Sequence, residues 1–194
     1  MNPYLSAGLA MCAVLFVALA GTAYLAVFFN KRAKADMKTA LDPLAAVISG
    51  QVDIEEAEII GTYDGTIARA RVTGAEGGAG RVFQVEVIDA AGGEQWRYRS
   101  IAHRDDPHPT SEFDSGNQNL KSDLADRFEL EPLSNVGDPT KHWRWVEYSP
   151  ESGVVRLTLP MQTRRDIPDA EAFTRQLAYV RETGVRNRAL QETP

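Results

Sequence analysis

The chain of 194 residues contains a single cysteine, Cys12, which lies inside an uncharged N-terminal run. The rest of the chain has no thiol, which excludes an internal disulfide framework and a thiolate metal site there. A domain without disulfides is the usual state of a cytoplasmic protein, although many exported domains also lack them. Cysteine content is therefore compatible with a cytoplasmic domain and does not establish one.

Positive charge is the scarcer sign, with 21 Lys and Arg against 27 Asp and Glu and a formal net charge of −6. Binding to nucleic acid requires a clustered cationic surface, so this balance argues against nucleic acid as the main partner. Hydrophobic residues make up 43% and charged residues 25% of the chain, as in a folded protein rather than a disordered one.

Recognisable catalytic and cofactor motifs are missing. The sequence has no Gly-x-Ser-x-Gly element, and none of its serines or histidines has the sequence context of a catalytic triad. The glycine-rich stretch "GAEGGAG" (74–80) lies between two predicted strands, whereas phosphate-binding loops lead into a helix. We therefore expect a non-enzymatic protein with no catalytic residue, no cofactor and no resident metal.

One polar segment, 103–119, keeps an alternative open. It is predicted to be an irregular loop, and a loop of this length in a compact domain is often functional. It begins with "HRDDPH", in which imidazole and carboxylate groups could bind a divalent ion through His103, Asp105, Asp106 and His108. The alternative function is a membrane-tethered sensor or enzyme that uses this loop for a metal or a small ligand.

The N-terminal run from Leu5 to Phe29 contains 25 residues and no charge. A helix of this length can span the hydrocarbon core of a bilayer, which is about 30 Å thick. A signal peptide would carry cations before the run and a small-residue cleavage site after it, and neither is present. A buried core helix would show a polar face. Residues 1–30 are therefore predicted to form a retained transmembrane anchor.

Four cationic side chains follow the run, while only the amino terminus is cationic before it: Lys31, Arg32, Lys34 and Lys38. The positive-inside rule then places the N-terminus outside and residues 30–194 in the cytoplasm. We expect a single-pass protein of the cell (inner) membrane, with lipid bilayer as its first partner and these four residues at the membrane surface.

Small residues recur along one side of the predicted anchor, at Ala18, Gly21, Thr22 and Ala26. Small side chains let membrane helices approach closely, so this side is a candidate helix–helix interface with another membrane subunit or with a second copy.

The soluble part is predicted to be an α+β domain at residues 57–184, an antiparallel sheet of about six strands with helices packed on one face. Period-2 alternation predicts strands at 57–63, 66–73, 81–89, 95–102, 142–149 and 154–160, the first two joined by an Asp64-Gly65 turn. Helices are predicted at 120–128 and at 166–184, the latter capped by Asp166 and ended by Gly184.

Residues 31–56 are predicted to be a cationic juxtamembrane linker in which Pro43 ends the anchor helix and a short second helix follows. Residues 185–194 are expected to form a frayed C-terminal tail.

Arginines alternate with aromatic residues in "QWRYR" (95–99) and "HWRWVEY" (142–148). Two adjacent strands of this kind would bury the aromatics and expose the arginines, and Trp, Tyr and Arg are concentrated at interface hot spots. The alternative is an ordinary core face backed by a solvated one. The candidate partner-binding face comprises Arg69, Arg71, Trp96, Arg97, Tyr98, Arg99, Trp143 and Trp145.

Together these features predict a non-enzymatic membrane protein that acts as an accessory, assembly or stabilising subunit of a larger membrane complex. Its anchor would pack by the small-residue side, and its cytoplasmic domain would bind a partner through the aromatic–arginine face.

Overall fold

A computed structural model describes residues 3–75, 80–88, 95–103, 106–114, 122 and 143–191. The chain divides into two compact units, Met1–Met37 and Lys38–Pro194, which we call the N-terminal and C-terminal units. The C-terminal unit has the predicted α+β class, an antiparallel sheet with a C-terminal helix. The predicted helix at 120–128 lies outside the described residues.

Helix α1 runs from Pro3 to Val47, and its uncharged part is long and apolar enough to cross a membrane. None of the most apolar 18-residue window is buried against the chain itself. Large side chains such as Phe16, Leu19 and Phe28 are therefore exposed along this helix. The predicted long apolar N-terminal helix is confirmed.

Pro43 does not end α1, contrary to prediction, and the helix continues through it to Val47. Proline removes one backbone donor from a helix, a cost that tertiary packing can offset. Here the residues on both sides of Pro43 are fully buried in the core of the C-terminal unit, at Leu41, Leu44 and Ile48. The last turns of α1 therefore belong to the folded domain, in the segment predicted to be a linker.

Eight strands form one antiparallel sheet in the described residues, compared with about six predicted. Their order across the sheet is β1-β2-β3-β4-β8-β7-β5-β6. The strands are β1 Gln51–Asp53, β2 Glu58–Tyr63, β3 Thr66–Gly74, β4 Arg81–Ile88, β5 Trp96–His103, β6 Asp106–Asp114, β7 Trp143–Ser149 and β8 Val154–Met161.

The predicted hairpin between β2 and β3 is confirmed, with Asp64 and Gly65 at φ values of 49° and 79°. Positive φ at both central residues is what a two-residue hairpin turn of type I′ requires, and glycine accepts it without steric cost. The register that this turn sets pairs Ile59 with Ala70 and Gly61 with Ala68.

Two strands were not predicted from the sequence. β1 has only three residues, too few for an alternating pattern to show. β6 occupies most of the segment predicted to be a loop, and it pairs with β5 from Arg97↔Asp114 to His103↔Asp106. Its sequence, "DPHPTSEFD", contains two prolines, which normally argue against a strand, but β6 lies at the edge of the sheet, where prolines are tolerated.

The junction between α1 and the sheet depends on close backbone contact. Ser49 adopts a left-handed φ of 48°, and the amide of Gly50 donates to the carbonyl of Ala45 at 2.8 Å. This bond is part of a Schellman end, which allows the chain to leave the helix in a tight turn. The carbonyl of Ile48 then accepts from the amide of Thr62 on β2 at 2.7 Å.

Helix α2 runs from Ala170 to Gln191 and packs on β4 and β8. Its cap is Asp169, whose carboxylate accepts from the amide of Ala172 at 2.8 Å. The predicted cap, Asp166, instead belongs to a short 3-10 turn at Arg164–Asp166. The predicted end at Gly184 is also wrong, because the helix continues through that residue and its buried side extends to Asn187.

Beside the buried end of α1, the core of the C-terminal unit includes the contact between α2 and the sheet. Phe173 of α2 meets Phe83 of β4 edge-on, with ring centroids 6.3 Å apart. Near the end of α2, the indole Nε1 of Trp96 donates to Oδ1 of Asn187 at 2.8 Å. Both residues are buried, so this bond attaches the last turns of α2 to β5.

Candidate interaction surface

The face of the sheet opposite α2, which we call the outer face, carries the residues that alternate with Phe83 and Trp96. Strand register aligns them in two rows that cross the sheet from β2 to β6. The first row is Glu58, Arg71, Gln84, Thr158, Trp145, Arg99 and Glu112, and the second is Ile60, Arg69, Glu86, Arg156, Glu147, Arg97 and Asp114.

In the second row, charges of opposite sign alternate across five strands at Arg69, Glu86, Arg156, Glu147 and Arg97, which we call the charge ladder. Arg156 is central: its Nε donates to Glu86 Oε1 at 2.6 Å and its Nη1 to Glu147 Oε1 at 2.9 Å. At one end, Arg97 Nη2 lies 2.7 Å from Glu147 Oε2. At the other end, Arg69 Nη1 lies 3.6 Å from Glu86 Oε2.

Neighbours from the first row reinforce the ladder. Arg71 donates from Nη2 to Glu86 Oε1 at 3.2 Å and from Nε to Gln84 Oε1 at 2.8 Å. Arg69 also lies 3.3 Å from Glu58. Glu86 therefore contacts three guanidinium groups, an arrangement that can offset the cost of burying a carboxylate.

Three carboxylates of the outer face are buried more deeply than its arginines. The side chains of Glu86, Glu147 and Glu58 are only 2%, 13% and 16% exposed. The arginine side chains are between 28% and 39% exposed, at Arg69, Arg71, Arg97, Arg99 and Arg156. These three carboxylates thus lie beneath the guanidinium groups, whereas Glu112, which is 70% exposed, and Asp114, also exposed, lie on β6 opposite Arg99 and Arg97.

Arg156 is held in its charged form. Burial disfavours the guanidinium charge and would lower its pKa, but the adjacent Glu86 and Glu147 outweigh burial and raise the pKa above its ordinary value. Arginine is protonated throughout the physiological range in any case. The centre of the ladder therefore carries a permanent positive charge.

A tryptophan lies between two of the arginines. The guanidinium carbons of Arg97 and Arg99 are each 5.8 Å from the ring centroid of Trp145, within cation–π range. Arg99 pairs opposite Trp145 in the register, and its Nη1 lies 3.8 Å from Glu112. We call Arg97, Trp145 and Arg99 the tryptophan patch.

The structure separates the residues of the predicted partner-binding face. Arg69, Arg71, Arg97, Arg99 and Trp145 come together on the outer face. Trp96 and Tyr98 are buried on the opposite face, where they pack in the core.

Trp145 does not share the face of the buried aromatics, because the register places it between Thr158 and Arg99. Trp143 pairs with Ile101, and its side chain lies outside the described part. The sequence predicted the alternation within each strand but not the register between strands.

Three members of the charge ladder were not selected from the sequence: Glu86, Arg156 and Glu147. Glu86 and Arg156 are lone charged residues in the apolar stretches "VFQVEVI" and "VVRLTLP", and Glu147 lies in "WRWVEYS", which also contains Arg144. Such a residue normally marks the solvated side of a strand. Only the strand order, which makes β4, β8 and β7 neighbours, brings the three together.

The predicted membrane residues lie on α1. Ala18, Gly21, Thr22 and Ala26 are exposed, and no described atom lies within 4 Å of where a side chain at Gly21 would begin. The Thr22 hydroxyl donates to the carbonyl of Leu19 at 2.9 Å, so it is satisfied within the helix. Of the surface cations Lys31, Arg32, Lys34 and Lys38, the last pairs with Asp42 at 3.1 Å.

The metal candidates of the predicted loop lie at the β5–β6 hairpin. His103 pairs with Asp106 and His108 is in β6, while Asp105 lies outside the described residues. Within the described ranges, no group of three or more His, Cys, Asp or Glu side chains could hold a metal ion.

Comparison of the chain with protein-family models, with curated proteins and with solved structures gives no match. Arguments about function therefore rest on the residues and geometry described above.

Proposed function

We propose that this protein is a non-enzymatic, single-pass membrane protein that acts as an accessory, assembly or stabilising subunit of a larger membrane protein complex. Helix α1 anchors it in the cell (inner) membrane, with the N-terminus outside and the C-terminal unit in the cytoplasm. Its partners are the lipid bilayer and other membrane subunits or a second copy, and not nucleic acid.

The observation that carries the proposal is the outer face. Five arginines and a tryptophan converge there on one side of the sheet and are all partly exposed. Arginine and tryptophan are enriched at protein interfaces and dominate their hot spots, because they combine large contact area with directed hydrogen bonds. Adjacent strands of one sheet hold these side chains at fixed spacing, as a binding surface requires.

The anchor supports the same proposal. Its small residues occupy one side of an apolar helix, where a neighbouring membrane helix could approach closely. The four cations after the run favour a cytoplasmic C-terminal unit. The alternative, a sensor or enzyme using residues 103–119, depends on a loop, and residues 106–114 of that segment form a strand.

The test is to solubilise the native membrane in mild detergent and to measure the mass of the particle that contains this chain. We expect a large particle in which the chain is present in fixed stoichiometry with other subunits. A particle that contains only this chain, as a monomer or a small homo-oligomer, would overturn the proposal.

A matched pair of anchor variants tests the helix contact. Ala18→Leu adds bulk on the small-residue side, whereas Ala20→Leu adds the same bulk about 200° away around the helix. We expect Ala18→Leu to reduce the amount of chain in the large particle and Ala20→Leu to leave it unchanged. If neither variant reduced the amount of chain in the large particle, assembly would be assigned to the C-terminal unit alone.

A further inference from the structure

We propose that one corner of the outer face joins two copies of this chain. The corner consists of two arginines of β5 and two carboxylates of β6, which we call the charged corner: Arg97, Arg99, Glu112 and Asp114. The inference rests on the proposed function, which includes a second copy among the partners, and it names the surface through which the two copies meet. It follows from the exposure, the pairing and the register of these four charges.

The charged corner contains the exposed carboxylates of the two rows. Glu112 is 70% exposed and Asp114 is also exposed, whereas Glu86 lies beneath the arginines. Arg97 and Arg99, on the neighbouring strand, are about one-third exposed. An approaching molecule therefore meets two charges of each sign, so the corner favours neither a purely acidic nor a purely basic partner.

The four charges are incompletely paired within one chain. Asp114 makes no ion pair with any described residue, and the pair of Arg99 with Glu112 is long, at 3.8 Å. Arg97 binds Glu147 through Nε and Nη2, which leaves the hydrogens of its Nη1 for another acceptor. Each residue of the corner therefore has capacity for a further charge-assisted bond.

Strand register arranges the charged corner as two columns of opposite sign. The register sets Arg97 opposite Asp114. It sets Arg99 opposite Glu112 in the next outward-facing pair. A two-fold axis that runs along the strands between β5 and β6 places the β5 column of one copy over the β6 column of the other. Each arginine of one copy then faces a carboxylate of the second copy, at both symmetric contacts.

The position of β6 makes this contact accessible. β6 is an edge strand of the described sheet, so the corner has neighbouring strands on one side only. Two sheets packed face to face lie about 10 Å apart with their strands nearly aligned, a gap that Arg and Glu side chains extended from both sheets bridge. Exposed ion pairs are individually weak, but a two-fold contact contains each pair twice, and the proposed anchor confines both copies to one membrane.

The experiment uses the purified full chain in liposomes of neutral phosphatidylcholine, with donor and acceptor dyes on the C-terminal tags of separate preparations. We expect energy transfer between unmodified copies, and less transfer at high salt because exposed charges are screened. Arg99→Glu places a carboxylate against Glu112 of the second copy at both symmetric contacts, so self-association should weaken about tenfold. Glu112→Arg should weaken self-association to the same extent.

A mixture of the two variants distinguishes contact between copies from contact within one chain. In a mixed pair, the two substituted side chains face each other at one contact, and the unmodified Arg99 and Glu112 face each other at the other. We expect the mixture, with the donor on one variant and the acceptor on the other, to recover an association constant within about twofold of the unmodified chain. Mixing does not restore a charge pair that acts only within one chain.

The matched controls are Arg175→Glu and Glu171→Arg, which reverse the charges of an exposed pair on α2. Each should change self-association less than about twofold. Absence of energy transfer between unmodified copies, equal association of Arg99→Glu and the unmodified chain, or no recovery in the mixture would overturn the inference. A different subunit or anionic lipid at the charged corner predicts one of the first two results, because the liposomes contain neither.

Failure of this inference can be told apart from failure of the proposed function. A large native particle that contains a single copy of this chain would leave the accessory-subunit proposal standing and remove the contact between copies. A native particle that consists of two copies alone, and that Arg99→Glu dissociates, would remove the accessory-subunit proposal and retain this inference.

Discussion

At the scale of single residues, Glu86 is a buried carboxylate that several arginines of the outer face contact. It is 2% exposed and contacts Arg69, Arg71 and Arg156. Removal of one partner from a buried ionic cluster lowers protein stability by more than the intact cluster contributes. The remaining charges stay desolvated but lose the attraction of the opposite charge that offset their desolvation.

Glu86→Gln is therefore expected to lower the free energy of unfolding by about 2 kcal/mol, less than for a fully buried cluster because the arginines are about one-third exposed. Chemical denaturation of the detergent-solubilised chain, followed by tryptophan fluorescence, measures this. Glu171→Gln is the control, because Glu171 is 84% exposed and its described ion pair, with Arg175, lies within α2. If the two variants lost the same free energy of unfolding, burial of Glu86 would add nothing to the stability that the charge ladder provides.

A second constraint acts on backbone geometry at Gly61. A Cβ atom there would overlap the carbonyl oxygen of Ile48 and would lie 2.7 Å from the Cα of Gly50. These atoms belong to backbone, which cannot move aside as a flexible side chain can. Glycine at this position allows β2 to lie directly against the end of α1.

Gly61→Ala is expected to destabilise the C-terminal unit by about 2–3 kcal/mol through this overlap. Gly74→Ala is the matched control, since a Cβ added at Gly74 has no atom of the described residues within 4 Å, and alanine is slightly favoured over glycine in a strand. The same denaturation measurement compares the two. If Gly61→Ala were as stable as Gly74→Ala, the contact with Ile48 would not be as close as described.

At the scale of elements, α2 shows where local rules predicted correctly and where they failed. The apolar stripe Phe173, Leu177 and Val180 was predicted from spacing, and all three are fully buried. The cap was misplaced because Asp166 and Asp169 satisfy the same sequence rule. Asp166 accepts from the amides of Gln162 and Thr163 in the preceding turn, so α2 begins only at Ala170.

Asp169→Ala should lower the free energy of unfolding by about 1 kcal/mol, because the amide of Ala172 loses its acceptor. Asp169→Asn keeps a side-chain oxygen at the same place and should retain most of this stability. Thermal unfolding of the two variants measures the difference. A loss in Asp169→Asn as large as in Asp169→Ala would attribute the effect to the carboxylate charge and the helix dipole instead.

The C-terminal extension of α2 could not be predicted from the sequence. Gly184 is typical of a helix end, yet the helix continues past it because Asn187 is buried and accepts from the indole of Trp96. That partner is 91 residues away in the chain. Tertiary contact here overrides a local ending signal.

At the scale of the whole molecule, the proposed orientation makes a direct prediction. Protease added to sealed inside-out vesicles should digest the C-terminal unit, and protease added to right-side-out vesicles should not, because the proposed topology, argued from the cations after the apolar run, places that unit in the cytoplasm. Replacement of Lys31, Arg32 and Lys34 by alanine should produce a mixed orientation. Digestion only in right-side-out vesicles would reverse the proposed topology.

The sequence by itself determined the features that depend on neighbouring residues. A run of 25 uncharged residues makes a helix apolar on all sides, and alternation of apolar and polar residues identifies strands at β2, β3, β4, β5, β7 and β8. The Asp64-Gly65 turn follows from the backbone angles that glycine permits. Each of these results needs only residues close together in the chain.

Tertiary structure decided which strands are neighbours and therefore which charges meet. The strand order places β8 and β7 between β4 and β5, so Arg156 bridges Glu86 and Glu147. The same order places Trp145 beside Arg97 and Arg99 on the outer face, while Trp96 lies in the core. Alternation specifies that a strand has two faces, but only packing against α2 and the register of adjacent strands specify what each face meets.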